Sequence, residues 1–96
     1  MKRTEVLTRL KAHMPEVKER FGVRDLALFG STSHGTAGME SDIDILVAFD
    51  GPATSSRYFG LQFYLEDLLG RPVDLITDKA LRPELRPFVE REAIHV

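Results

Sequence analysis

Ninety-six residues with 43% hydrophobic content bury one modest core and leave no length for a second, so the chain is expected to be a single domain over residues 1–96. A net charge of -2 excludes the basic footprint of a general nucleic-acid binder, and the absence of cysteine excludes disulfides and thiolate metal sites. The N-terminus lacks the apolar run of a signal peptide and nothing approaches the ~20 apolar residues of a membrane helix, which predicts a cytoplasmic protein without membrane attachment.

Val6, Leu7, Leu10, Met14, Val17 and Phe21 recur at helical spacing, with Thr4 as the predicted N-cap and Gly22 as the stop. Pro15 falls inside this pattern, where it costs ~3 kcal/mol or more. The expectation is therefore a break near Met14 and a second short helix opening at Pro15. The intervening Glu5, Arg9, Lys11, Lys18, Glu19 and Arg20 predict a solvated face, and His13 reads as an ordinary surface or half-buried histidine.

Val23 to Phe29 predicts a first strand and Ser41 to Phe49 a second, closed by Asp50-Gly51-Pro52. A loop over residues 51–56 leads to a helix from Arg57 to Leu69, with Tyr58, Leu61, Leu65 and Leu68 as its apolar stripe, its aromatic residues assigned to the core, and Gly70 as its C-terminal cap. Val73 to Thr77 predicts a third strand, Asp78 a cap on a short turn, and Pro83 the start of a last helix carrying Leu85, Phe88 and Val89. Ala93 to Val96 is a candidate terminal strand. The pattern predicts an α/β fold: a small mixed β-sheet with helices on one face and the other face open as a ligand cleft.

The chemistry concentrates between the first two strands. Leu26-Ala27-Leu28-Phe29 runs into Gly30-Ser31, followed by small hydroxyl residues suited to opening a helix. Strand, glycine turn and helix start form an anion-binding arrangement, because glycine admits close backbone approach and the free N–H groups attract phosphate oxygens. Ser31 serves equally as helix cap or as phosphate donor, and Ser41, at the end of the loop, is grouped with Gly30 and Ser31 on the nucleotide side. His34 reads as a phosphate donor or as a loop histidine with no role. In the second strand Asp42 and Asp44 share one face while Ile43, Ile45, Val47 and Phe49 share the other. Two adjacent carboxylates repel, and either one takes up a proton or a cation binds between them. All-oxygen ligands favour Mg²⁺.

The Leu-Phe-Gly-Ser entry, the Ser41-Asp42-Ile43-Asp44-Ile45-Leu46-Val47 segment, the Leu-Gly before the third strand and the Glu92-Ala93-Ile94 ending together resemble the minimal nucleotidyltransferase family. The likeness covers nearly the whole chain and implies the polymerase-beta-like nucleotidyltransferase fold. It departs at Ser33-His34-Gly35, where members commonly carry Ala-Arg-Gly, so a fixed positive charge is replaced by a histidine that is largely neutral at pH 7.

In that superfamily the paired aspartates and a carboxylate on a later strand hold Mg²⁺ and a nucleoside triphosphate. The resemblance assigns those roles to Asp42, Asp44 and Asp74, with two Mg²⁺ ions. It implies transfer of a nucleoside monophosphate, AMP from ATP, to a hydroxyl on a partner protein. It also implies that partner: a HEPN-domain toxin or another helical protein, with this chain as the antitoxin. Two alternatives stand beside it: a non-catalytic binding module of the same fold, and a subunit of a small-molecule nucleotidyltransferase.

Overall fold

The computed structural model describes residues 2–29 and 42–96. Its elements are α1 (Arg3–Phe21), β1 (Val23–Phe29), β2 (Ile43–Phe49), α2 (Ser55–Leu69), β3 (Val73–Thr77), α3 (Arg86–Glu92) and β4 (Ile94–His95).

Helix α1 runs unbroken through Pro15, against the expected division at Met14. Its apolar stripe explains why. Val6, Leu10, Met14, Val17 and Phe21 are all buried and lie on both sides of the proline. Breaking the helix would unseat Val17 and Phe21, each contributing about 1.5–3 kcal/mol by burial, which together matches or outweighs the ~3 kcal/mol that an interior proline costs. Pro15 itself sits on the exposed face, where the carbonyl it leaves without a partner can turn to water. Thr4 lies inside the helix rather than capping it: its carbonyl accepts from the Thr8 hydroxyl at 2.8 Å, and Lys2 occupies the cap position. Gly22 ends the helix in the left-handed region at φ 66°, its N–H donating to the Lys18 carbonyl.

The sheet has the order β3-β2-β1-β4. Strand β1 pairs antiparallel with both β2 and β4, whereas β2 and β3 are parallel, as two strands joined by a helical crossover must be to re-enter the sheet in the same direction. Along β2 burial alternates strictly: Ile43, Ile45, Val47 and Phe49 are buried, and Asp44, Leu46 and Ala48 are on the other side. The buried face joins Leu26 and Leu28 of β1 and Val73 and Leu75 of β3, and it is covered by the stripe of α1 and by Leu61, Leu65 and Leu69 of α2. Truncating any of these leucines to alanine would cost about 2–5 kcal/mol.

The last helix starts at Arg86, three residues after the predicted start at Pro83, because the chain first makes a turn in which Arg86 N–H reaches the Arg82 carbonyl at 3.1 Å. Its apolar residues do not form a core stripe. Leu85 is 47% exposed and Phe88 60% exposed, with the Arg91 guanidinium over the Phe88 ring. Helix α3 instead stands beside the sheet face away from the core, where Arg86 and Glu90 border a cavity with Ala27, Leu46, Ala48 and His95. Among the described residues, no helix is long and apolar enough to cross a membrane.

Strand β3 is an edge, and α2 satisfies the outward-facing backbone. The even-numbered residues bond inward to β2: Ile43 N–H donates to the Pro72 carbonyl at 3.0 Å and Asp78 N–H to the Val47 carbonyl at 2.9 Å. Val73 and Leu75 therefore turn their polar groups outward, where three side chains of α2 meet them. Glu66 Oε2 accepts from Val73 N–H at 3.0 Å, Gln62 Nε2 donates to the Val73 carbonyl at 3.2 Å, and the Tyr58 hydroxyl donates to the Leu75 carbonyl. Residues 58, 62 and 66 are spaced i, i+4, i+8 along one side of the helix, the spacing that puts them in a row along a neighbouring strand.

Candidate active site

Strand alternation puts Asp44 on the face opposite the core, since its neighbours Ile43 and Ile45 are both buried. The same holds for Asp74 between Val73 and Leu75. In the parallel β2–β3 ladder these two aspartates are direct cross-strand partners. Residues paired in this way stand side by side on one face, and the carboxyl groups of Asp44 and Asp74 make a hydrogen bond to each other. Asp42, exposed just before β2, approaches closely enough to act on Asp44 through its charge.

The electrostatic consequence falls on Asp44. Partial burial holds its carboxyl above the usual carboxylate range, and the charges of Asp74 and then Asp42 push it further in the same direction. The hydrogen bond to Asp74 adds to the shift by stabilising the protonated form. Every contribution thus disfavours a second and third negative charge at this spot. Carboxylates so arranged attract either a proton or a cation, and with oxygen-only donors the cation of matching chemistry is a hard divalent one.

Among the described residues no group of three or more His, Cys, Asp or Glu side chains is placed to hold a metal ion by itself. Two touching carboxylates and a third nearby still suit Mg²⁺, which usually keeps waters and takes the rest of its ligands from substrate phosphates rather than from an all-protein cage. Of the residues assigned from sequence, Asp42, Asp44 and Asp74 are brought together. Gly30, Ser31, His34 and Ser41 lie outside the described residues.

Beside Asp74 opens a groove of about 560 Å³ between the start of α2 and the outer edge of β3, with Ala53, Tyr58, Phe59, Ile76 and Ala80 in its lining. The loop leading to it is tied down. The Arg57 guanidinium donates to the carbonyls of Asp50 at 3.2 Å and Pro52 at 3.3 Å, and the Thr54 hydroxyl caps α2 by accepting from Arg57 N–H. Sequence reasoning missed this groove because it assigned the aromatic residues of α2 to the core. Tyr58 is partly buried, but Phe59 is 52% exposed and Phe63 63% exposed. A signal was available: residues 59 and 63 fall off the stripe defined by Leu61, Leu65 and Leu69, on the far side of the polar row at 58, 62 and 66.

Comparison with known proteins agrees with this geometry. The family model for the nucleotidyltransferase domain matches residues 10–96. Protein adenylyltransferase MntA of Thermococcus cleftensis is 41% identical over 92 residues, covering 96% of this chain and 93% of its own length. A solved structure described as a candidate minimal nucleotidyltransferase superposes with a TM-score of 0.85 at 37% identity, over 98% of this chain and 95% of that one. The fold also recurs, at a TM-score of 0.59 and 22% identity, in a Shewanella oneidensis complex of an MNT antitoxin with a tri-AMPylated HEPN toxin, over 97% of this chain and 66% of that one. With a polymerase-beta-like fold, Asp42 just before β2, Asp44 on it and a partner aspartate on β3, the chain belongs to the nucleotidyltransferase family, in the minimal branch that includes the MntA adenylyltransferase.

Proposed function

We propose that this chain transfers AMP from ATP to a hydroxyl group on a HEPN-domain partner protein, with Asp42, Asp44 and Asp74 as the catalytic set. The observation that carries the reading is the contact between Asp44 and Asp74 on neighbouring strands, with Asp42 close enough to raise the proton affinity of Asp44. A cluster of like charges that no core packing requires is a functional device more often than a structural one. The name of the Thermococcus relative supplies the nucleotide, and the Shewanella complex supplies the class of acceptor.

In this reading Asp42, Asp44 and Asp74 hold Mg²⁺ together with the triphosphate. Bound there, Mg²⁺ supplies charge neutralisation at the phosphates and polarisation of the reacting oxygens. Asp74, on the outer strand and beside the groove, accepts the proton of the acceptor hydroxyl. The hydroxyl oxygen forms its bond to the α-phosphorus, and the bond from that phosphorus to the bridging oxygen breaks. The electron pair leaves with pyrophosphate. Gly30, Ser31 and Ser41 contribute backbone and hydroxyl donors to the phosphates.

Intact-mass spectrometry after co-expression with a HEPN-domain protein tests the proposal. Wild type should add the mass of one or more AMP groups to the partner, and the Asp42→Asn/Asp44→Asn double variant should add none. A partner that stays unmodified, yet is neutralised equally by wild type and variant, would leave only a binding role.

A further inference from the structure

We infer that the acceptor protein docks across the outer side of α2, anchored on Phe59 and Phe63, and delivers its hydroxyl along the groove that ends at Asp74. The inference rests on the transfer reaction proposed above and adds where the substrate protein sits.

Three observations converge on this surface. Phe59 and Phe63 lie one helical turn apart on the same side of α2 and are more than half exposed, although each could bury a large apolar area. Phe59 also lines the groove, and Asp74 lines the same groove, so one continuous surface runs from the exposed aromatic pair to a carboxylate of the site. The groove has the volume of a ligand site, and among the described residues its lining carries no lysine or arginine, which argues against nucleic acid as its occupant.

The edge chemistry narrows the kind of partner. An unpaired strand beside a groove normally invites strand addition from another chain. Here Val73 and the Leu75 carbonyl already bond to Glu66, Gln62 and Tyr58, so a strand would have to displace three side chains to pair. The surface instead suits an apolar helical face laid against Phe59 and Phe63, with one side chain directed into the groove. A second copy of this chain is the poorer fit, because covering the aromatic pair symmetrically would close the groove through which a hydroxyl reaches Asp74.

The test measures binding apart from chemistry. Wild type, Phe63→Leu and Phe63→Asp are titrated calorimetrically with a HEPN-domain protein, and AMP transfer to the same protein is followed by mass. Phe63→Asp should weaken the complex at least tenfold and raise the acceptor KM by a similar factor. Its kcat and melting temperature should stay close to wild type, and Phe63→Leu should recover most of the affinity. Unchanged affinity in Phe63→Asp overturns the docking site even if transfer is efficient. A wild-type dimer that dissociates in Phe63→Asp, without loss of acceptor binding, overturns it in favour of a contact between copies. If wild type adds no AMP yet the complex forms and depends on Phe63, the transfer reading fails and the docking surface stands.

Discussion

Asp44 and Asp74 stand opposite each other across the parallel β2–β3 pair with their carboxyl groups in hydrogen-bond contact, the central relationship of the site. Because the proton affinity of Asp44 is raised above the ordinary value of 3.8, the folded chain holds a proton that the unfolded chain has already released. Below that ordinary value both states are protonated and there is no penalty. As pH rises through the window between 3.8 and the raised folded value, stability falls, and it stays lower at neutral pH. Asp44→Asn, which cannot ionise, should therefore melt above wild type at pH 7, with the difference shrinking as pH is lowered toward 4. Paired thermal melts at the two pH values check this. A difference that does not depend on pH would mean that the charge of Asp44 is not what strains the apo fold.

Nucleotide binding should require a divalent cation. Three acceptor-only carboxylates facing a triphosphate repel it unless a cation intervenes. Calorimetric titration with ATP is expected to show at least tenfold tighter binding in Mg²⁺ than in EDTA. Equal affinity in the two buffers would remove the metal from the proposal.

The row that caps β3 should be measurable as stability. Glu66→Ala leaves the outward Val73 N–H without its partner, and a hydrogen bond to a charged group of this kind is worth about 1.5–3 kcal/mol. Glu66→Gln keeps an acceptor oxygen and should lose less. Tyr58→Phe should cost about 1 kcal/mol by freeing the Leu75 carbonyl. Urea unfolding gives all three values, and light scattering should show Glu66→Ala aggregating faster through its uncovered edge. Equal stability for Glu66→Ala and wild type would show that the edge is satisfied by water instead.

Pro15→Ala should raise stability by about 2 kcal/mol. The substitution restores one backbone hydrogen bond in α1 and removes the ring's crowding of the preceding turn, offset in part by a freer unfolded chain. Chemical denaturation measures the gain. A loss would indicate that the stiffer unfolded chain given by Pro15 outweighs the hydrogen bond it removes.

The local order of this protein was legible in its sequence. Hydrophobic period, alternation along β2 and the glycines after α1 and α2 are properties of short segments, and they predicted the helical stripe of α1 without its continuity, helix α2, the first three strands and the terminal strand. Alternation alone also put Asp44 on the face away from the core, because successive residues in a strand point to opposite sides.

What only the tertiary structure decided is which segments meet. That β3 lies beside β2 in the register that pairs Asp74 with Asp44 depends on long-range hydrogen bonding that no local period encodes. The same limit explains the misread elements. The intrinsic cost of Pro15 predicted a broken helix, and burial of residues on both sides of it kept the helix whole. Phe59, Phe63, Leu85 and Phe88 carry the composition of core residues, yet they are exposed. Hydrophobicity states what a side chain gains by burial, whereas the packing of two helices on one sheet face determines which side chains find a place there.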